Sequence, residues 1–409
     1  MESEWTKSTW GDEVSLEYGK GIRGYQTAKG RYRVFGANGP VGWTSKPLVQ
    51  GSGVILGRKG AYRGVEYSKE PFFVIDTAYY VQPKKPLDMR WLYYAIKYYR
   101  LGEIDDGSPI PSTTRAAVYV RDLSVPPLPE QKAIAHVLGS LDDKIEANRQ
   151  MNSTLEAMAQ ALFKSWFVDF DPVRENMARK AGRSRQRPLP GLAAPLEAAG
   201  AAAPEGVLDL FPDEFEDSEL GPIPRGWRVS RIGDVAQIFS GKRPLSRFAE
   251  SSPEASVPLW GGNGPMAFVP SSLTEFPVLL TGRVGTLGSV FRVKPPSWPS
   301  DNTLILRPHR MRDFEYLFHW LQQIDFDVLN RGSTQPLIAQ SDLKSEPVLE
   351  PSEPVLSCFG DVAKAIYRRV DAAVDESTDL SAVRDALLPK LISGELRVSD
   401  TEAISREAS

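Results

Sequence analysis

The chain has 409 residues, enough for two or three domains with cores of their own. With 41% hydrophobic and 25% charged residues the composition is that of an ordinary globular protein, and no run approaches eighteen apolar residues, which excludes a spanning helix. A net charge of -3, a single cysteine (Cys358) and three histidines leave no internal disulfide and no ordinary zinc site. With no basic, apolar start after Met1, the expected compartment is the cytoplasm.

The net charge hides a gradient. Residues 1–125 hold 18 Lys/Arg against 13 Asp/Glu, and residues 225–350 hold 14 against 12, while the segments between and after them come to -6 and -4. Two mildly basic blocks suit phosphate-facing surfaces, although solvated faces would give the same numbers.

In the first block, residues 53–56 form a strand candidate ending at the corner Gly57-Arg58, and Asn38-Gly39 is a turn dipeptide that favours positive φ. Residues 72–81 read as a β-branched and aromatic strand run, and 91–99 as a short helix with its aromatics on the packed side.

A long helix follows, expected from about 131 to 168 between Pro127, Pro129 and Pro172. Leu138, Leu141, Ile145, Leu155 and Leu162 lie on a heptad seam that Asn148 and Asn152 interrupt, and the helix would reach roughly 57 Å. The connector 174–224 opens with a basic run (Arg174, Arg179, Lys180, Arg183, Arg185, Arg187), continues through an Ala/Pro/Gly-rich stretch at 188–206 read as flexible, and ends acidic.

The second block repeats the first. An offset of 225 residues takes Phe35-Gly36-Ala37-Asn38-Gly39-Pro40 onto Trp260-Gly261-Gly262-Asn263-Gly264-Pro265, Gly57-Arg58 onto Gly282-Arg283, Asp76 onto Asp301 and Gly107-Ser108 onto Gly332-Ser333. Without a gap, 18 of the 76 positions from 36 to 111 are identical, where composition alone gives roughly 5. Gly19-Lys20 matches Gly241-Lys242 at 222, and Asp122-Leu123 is aligned with Asp342-Leu343 at 220. The plain conclusion is a duplicated α+β domain of about 120 residues. A second long helix closes the chain, with Ile366, Val370, Leu380 and Leu387 on its seam and Arg384 breaking it. Two helices that cannot bury their stripes alone are expected to pair antiparallel, relating the twin domains by an approximate two-fold.

No Gly-x-x-x-x-Gly-Lys-Ser/Thr loop and no Asn/Asp-Pro-Pro-Tyr/Phe segment occurs, so neither a standard nucleotide site nor a methyltransferase base pocket is expected. Asp76 and Asp301 can be proposed as metal ligands, but a capped turn or satisfied structural carboxylate accounts for them better, and plain packing accounts for His319. Candidates for nucleic-acid contact sit on glycine-bounded loops. They are Arg58 and Arg283 for phosphate or guanine, Asn38, Asn263 and Gln335 for adenine, Ser108 and Ser333 for phosphate, and Lys59 and Arg63 where the copies differ. Such corners also occur simply because a fold turns there.

The stretch Pro126-Pro127-Leu128-Pro129-Glu130-Gln131-Lys132-Ala133-Ile134-Ala135, continuing to Ile145, resembles the start of the central conserved region of specificity subunits of type I restriction-modification systems. Leu162-Phe163-Lys164-Ser165-Trp166-Phe167-Val168-Asp169-Phe170 is similar to its end, Gly221-Pro222-Ile223-Pro224-Arg225-Gly226-Trp227 to the start of the second target-recognition domain, and Leu387-Leu388-Pro389-Lys390-Leu391-Ile392-Ser393-Gly394-Glu395-Leu396 to the closing signature. The resemblance implies target-recognition domains at 1–125 and 225–350, spacer helices at 126–173 and 351–397, a linker at 174–224 and a tail at 398–409. It also implies a recurrent contact loop at Gly332-Ser333-Thr334-Gln335, from which Ser108-Pro109 departs. It further implies no catalysis and no cofactor of the chain's own. Each domain would read one half of a split, asymmetric site in double-stranded DNA, and the partners would be two modification (methyltransferase) subunits and one or two motor-nuclease restriction subunits. The rival readings are a standalone nuclease or methyltransferase and a structural hub that binds no DNA. Metal-dependent cleavage, S-adenosylmethionine binding and gel shifts on random duplex discriminate among them.

Overall fold

Each repeated block is closed by its own first and last strands. In the first, β1 (Thr6–Thr9) runs antiparallel to β9 (Asp122–Val125), with Thr6 opposite Val125. In the second, β12 (Arg228–Arg231) runs antiparallel to β20 (Pro347–Glu350), with Arg228 opposite Glu350. The computed structural model describes residues 5–105, 107, 111–183 and 206–398. These fall into two compact units, one holding the residues up to Arg149 and from Val374 onward, the other Gln150–Ala373.

In the first unit, α1 (Trp10–Glu13) leads into β2 (Val14–Tyr18), β3 (Tyr32–Gly36), β4 (Gly39–Thr44), β5 (Gly53–Gly57), β6 (Val65–Ser68), β7 (Phe73–Val74) and β8 (Ala78–Pro83). A four-stranded antiparallel sheet has the order β2-β8-β5-β6, and a three-stranded one the order β4-β3-β7. All five residues of β5 are buried, as a central strand covered on both faces requires. The expected single strand over 72–81 divides at 75–77, where Ala78 N–H donates to the Ile75 carbonyl at 3.1 Å and closes a turn. β7 therefore joins the small sheet and β8 the large one. Helix α2 (Met89–Tyr98) starts where the Asp88 carboxylate accepts from the backbone of Arg90 and Trp91, both at 2.9 Å, and buries Trp91, Leu92, Tyr94, Ala95 and Ile96 on the large sheet. Helix α3 (Arg115–Tyr119) then turns the chain back into β9.

The second unit contains the end of α4 (Leu128–Phe167), then α5 (Asp171–Lys180) and the hairpin of β10 (Phe215–Ser218) and β11 (Gly221–Pro224). After β12 come α6 (Ile232–Val235), β13 (Ala236–Ser240), β14 (Val257–Gly261), β15 (Gly264–Val269), β16 (Val278–Gly282), β17 (Val290–Val293), β18 (Trp298–Pro299) and β19 (Thr303–Pro308). Its sheets have the orders β13-β19-β16-β17 and β15-β14-β18, strand for strand the topology of the first domain. Helices α7 (Phe314–Leu321) and α8 (Gln340–Ser345) stand where α2 and α3 stand, and α9 (Glu353–Ser393) follows β20.

The offset of 225 residues persists from β3 and β14 through β9 and β20 to the first residues of α4 and α9. The alignment of Asp122-Leu123 with Asp342-Leu343 is therefore overturned. Asp342 and Leu343 lie in α8, and the strand pairing sets Pro347 and Val348 in the places of Asp122 and Leu123. Gly19-Lys20 and Gly241-Lys242 hold at 222, because Lys20 N–H donates to the Val74 carbonyl (2.9 Å) as Lys242 N–H does to Pro299 (3.0 Å).

The long helices pack antiparallel in each unit. In the first, Ile134 and Leu138 share a core with Leu391 and Ile392, Arg384 meets Asp142 at 2.8 Å, and Asn148 donates to Glu376 (2.8 Å) and Ser377 (3.2 Å). In the second, Asn152 donates to the Val370 carbonyl at 3.3 Å, and the rings of Phe163 and Phe359 lie 5.9 Å apart. Leu138, Ile145, Leu155, Leu162, Ile366 and Val370 are buried, whereas Leu141, Leu380 and Leu387 are half-buried. The connector's ends are folded. Lys180 pairs with Asp213 (2.8 Å) and Glu214 (3.1 Å), so part of the basic run is neutralised by the acidic stretch. The flexible stretch expected at 188–206 lies almost wholly outside the described residues.

Candidate nucleic-acid interface

In the first domain four short segments are knitted together by backbone hydrogen bonds. Gly64 N–H donates to the Ala37 carbonyl (2.8 Å), Arg58 N–H to Thr77 (2.9 Å), Gly60 N–H to Pro111 (3.0 Å) and Thr113 N–H to Arg58 (2.9 Å). The turn at 37–39, the loop at 58–64, the turn at 75–77 and the segment at 111–113 thus form one surface. The second domain repeats the pattern. Arg283 N–H donates to Asn302 (2.8 Å), Gly285 N–H to Pro336 (2.9 Å) and Ile338 N–H to Arg283 (2.9 Å). Gly39 and Gly264, at φ 100° and 109°, take the positive φ expected of the Asn-Gly turns.

Side chains on this scaffold differ between the copies. Asn38, Lys59 and Asn263 are exposed, as are Ser333, Thr334 and Gln335. The Arg58 guanidinium stacks on the Tyr18 ring at 4.9 Å, beside Arg115 at 4.2 Å from the same ring. Burial and the hydrogen bond that the Tyr79 hydroxyl donates to Tyr18 push Tyr79 up to about 12, so it stays a neutral wall. In the second domain Ser240 occupies the place of Tyr18, and Arg283 Nη1 donates to its hydroxyl at 3.4 Å.

Arg63 is turned inward. Its Nε donates to the Gly102 carbonyl (2.8 Å) and the Thr113 hydroxyl (3.1 Å), Nη1 to Gly60 (2.8 Å) and Nη2 to Ile104 (3.2 Å). It clamps the 58–64 loop onto 102–113, and Gly288 in the second copy has no side chain to do so. There Asn330 Oδ1 accepts from Gly332 and Leu337, both at 2.9 Å, and closes the loop that carries Ser333 to Gln335. Ser108 lies outside the described residues.

Two features were not anticipated. Between Tyr18 and Val65 the sequence holds nine Lys/Arg and no Asp/Glu, whereas block-wide net charge diluted that signal. Lys29, Arg31, Tyr32 and Trp43 from this stretch line a groove of about 700 Å³, with Arg33 4.3 Å above the Trp43 ring. Asp76 and Asp301 are also not satisfied structural carboxylates. Both are exposed and, among the described residues, neither has a hydrogen-bond or ion-pair partner. Their turns bring them to the surface instead of into a core.

Cationic and amide side chains on paired loops, carried twice, fit a polyanion read at two places. The family model described as type I restriction modification DNA specificity domain matches residues 2–157 and 224–354. The chain belongs to this family. Its role is accordingly DNA target recognition and the positioning of the modification and restriction subunits with which specificity subunits assemble. The specificity subunit of the type I restriction enzyme HindI from Haemophilus influenzae is 26% identical over 344 residues, covering 73% of this chain and 74% of that one. The MjaIX specificity subunit of Methanocaldococcus jannaschii is 24% identical over 377 residues, covering 85% and 78%. A solved structure of a type I restriction-modification system S subunit from M. genitalium superposes with a TM-score of 0.59 at 18% identity, covering 95% of this chain and 96% of that one, a likeness of fold. Among the described residues no helix is long and apolar enough to cross a membrane.

Proposed function

We propose that residues 1–125 and 225–350 each read one half of a split, asymmetric DNA target, and that the spacer segments 126–173 and 351–397 set the unread gap. The 40 residues of α4 reach about 60 Å, against a duplex repeat of about 34 to 36 Å. The helices dock two modification subunits, to which one or two restriction subunits add, and the assembly works in the cytoplasm. Asn38, Arg58, Lys59 and Ser108 contact the first half-site, and Asn263, Arg283, Ser333, Thr334 and Gln335 the second. Arg63 supports its loop from behind. Residues 174–224 connect the halves and 398–409 form a tail.

The observation that carries this reading is one loop scaffold built twice with different side chains on it, Lys59 against Val284 and Arg63 against Gly288. A symmetric dimer could not vary its halves independently, whereas a single chain can. The test is to exchange residues 225–350 for the corresponding domain of another family member, assemble the chain with its modification subunits and select bound duplexes from a random pool. One half of the selected consensus should change while the other half and the gap stay. A consensus changed throughout, or unchanged, would refute independent readers.

A further inference from the structure

A cleft of about 880 Å³ opens in the second domain between the loop at 241–248, the turn at 262–264 and the loop at 284–286, with Met266 and Asp301 among its lining residues. Leu245 stands on its rim with a relative exposure of 105%, and Met266 beside the cleft is 53% exposed. Arg243 and Arg247 flank Leu245, both exposed and, among the described residues, without a hydrogen bond or ion pair.

The loop is held firmly at both ends. Gly241 N–H donates to the Thr303 carbonyl (3.1 Å), Trp298 Nε1 to Lys242 (2.7 Å), and Phe248 and Phe268 exchange backbone hydrogen bonds at 2.9 and 2.8 Å. A Cβ on Gly241 would lie 2.1 Å from the Ser300 carbonyl oxygen, so this anchor needs glycine. Pro244 stiffens the turn directly before Leu245. An apolar tip held out in water on a short, pinned loop loses little further entropy when it is buried by a partner.

The charge around the tip selects that partner. Two free guanidiniums attract phosphates on either side, while the Asp301 carboxylate on the cleft wall repels phosphate and accepts instead from an exocyclic amino group. A surface that is anionic outside and apolar between its stacked layers is duplex DNA. The first domain lacks the device in its equivalent loop. Its counterpart loop has the same anchors, Gly19 N–H to Ala78 (3.1 Å) and Lys20 N–H to Val74 (2.9 Å), but it carries Lys20, Arg23, Lys29 and Arg31, and its aliphatic Ile22 is half-buried.

We propose that Leu245 is a wedge that enters a base step of the half-site read by the second domain, with Arg243 and Arg247 on the flanking phosphates. This rests on the reading of that domain as a DNA reader, and it makes the two halves differ in mechanism. The loop at 19–31 of the first domain holds DNA through its cations, whereas the loop at 241–248 of the second unstacks it.

The test uses the full chain assembled with its modification subunits, on duplexes with 2-aminopurine placed in turn at each step of both half-sites. Away from the bases that the modification subunits flip out for methylation, expected is a fluorescence rise at one step of the second half-site and at none of the first. Leu245→Ala should abolish the rise and weaken binding about tenfold, the loss of one buried leucine, and Leu245→Phe should keep the rise. Arg243→Ala and Arg247→Ala should each lower the slope of log affinity against log salt by about 1. No rise with the wild-type chain, or a rise that survives Leu245→Ala, overturns the wedge. Leu245 is fully exposed, so its replacement leaves folding intact. Failure of the domain exchange to alter the consensus would instead defeat the DNA reading itself, which separates the two outcomes.

Discussion

Arg384 of α9 donates to the Asp142 carboxylate of α4 at 2.8 Å, with the two side chains 19% and 23% exposed. The charge that interrupts the second heptad stripe is therefore answered by an acid beside the stripe of α4, and Asp142 also accepts from the Tyr94 hydroxyl at 2.6 Å. Arg384→Ala should lower stability by about 1 to 3 kcal/mol, since it leaves a partly buried carboxylate short of a partner. Arg384→Leu combined with Asp142→Asn should recover most of that loss. Urea denaturation of the three chains measures both values, and an additive double variant would show that the pair is not coupled.

Arg63 is expected to act through its loop. Arg63→Ala removes four hydrogen bonds to 60, 102, 104 and 113 and should cost roughly 2 to 4 kcal/mol. It should also blur the first half of the selected DNA consensus while leaving the second half sharp. Arg63→Lys should not rescue it, because a single ammonium cannot span that fork. Unchanged stability with only a shallower salt dependence would make Arg63 a phosphate contact.

His319 gives the second unit a pH dependence. It stacks on Phe163 with ring centroids 5.4 Å apart, its Nε2 lies 3.1 Å from the Tyr367 hydroxyl, and burial pulls its pKa down from 6.5 to about 4. The neutral ring fits the folded state, so its contribution is complete above pH 6.5 and is lost as pH falls toward 4, by up to about 3 kcal/mol. Denaturation of wild type and His319→Phe at pH 7.5 and 4.5 should show a smaller drop for the variant, and equal drops would exclude the histidine as the source.

Much of this architecture is legible in the sequence because it is periodic or duplicated. The first heptad stripe places α4 within three residues of its expected start at 131, α9 (Glu353–Ser393) falls inside the second spacer at 351–397, and the 225-residue offset marks the twin domains. Loop convergence is not legible. Nothing periodic links 37, 58, 77 and 111, which meet because β5 ends at Gly57 opposite Ala78, where its antiparallel neighbour β8 begins. For the same reason Arg63 reads as a surface cation until its four backbone and hydroxyl acceptors are seen, and Asp76 reads as a structural turn residue until its carboxylate is found free. The 220-residue alignment of Asp122 fails because two matching residues carry too little information against a helix of the same local composition.

If the helices act as a ruler, inserting one heptad between 134 and 166 and another between 359 and 391 should widen the unread gap. Seven residues add about 10.5 Å, which is about three base pairs at 3.4 Å each. Both half-sites should be unaltered in the duplexes selected by the assembled complex. A lengthened chain that keeps the original gap would mean that something other than the helix pair sets the spacing.

The most direct measurement is the map of methylated bases in the host genome with and without this gene. Loss of one bipartite motif on deletion, two short unlike halves around a fixed stretch of arbitrary sequence, is the expected result. Deletion that removes no motif, or one that removes a continuous or palindromic motif, would contradict a single chain reading two different half-sites across a set gap.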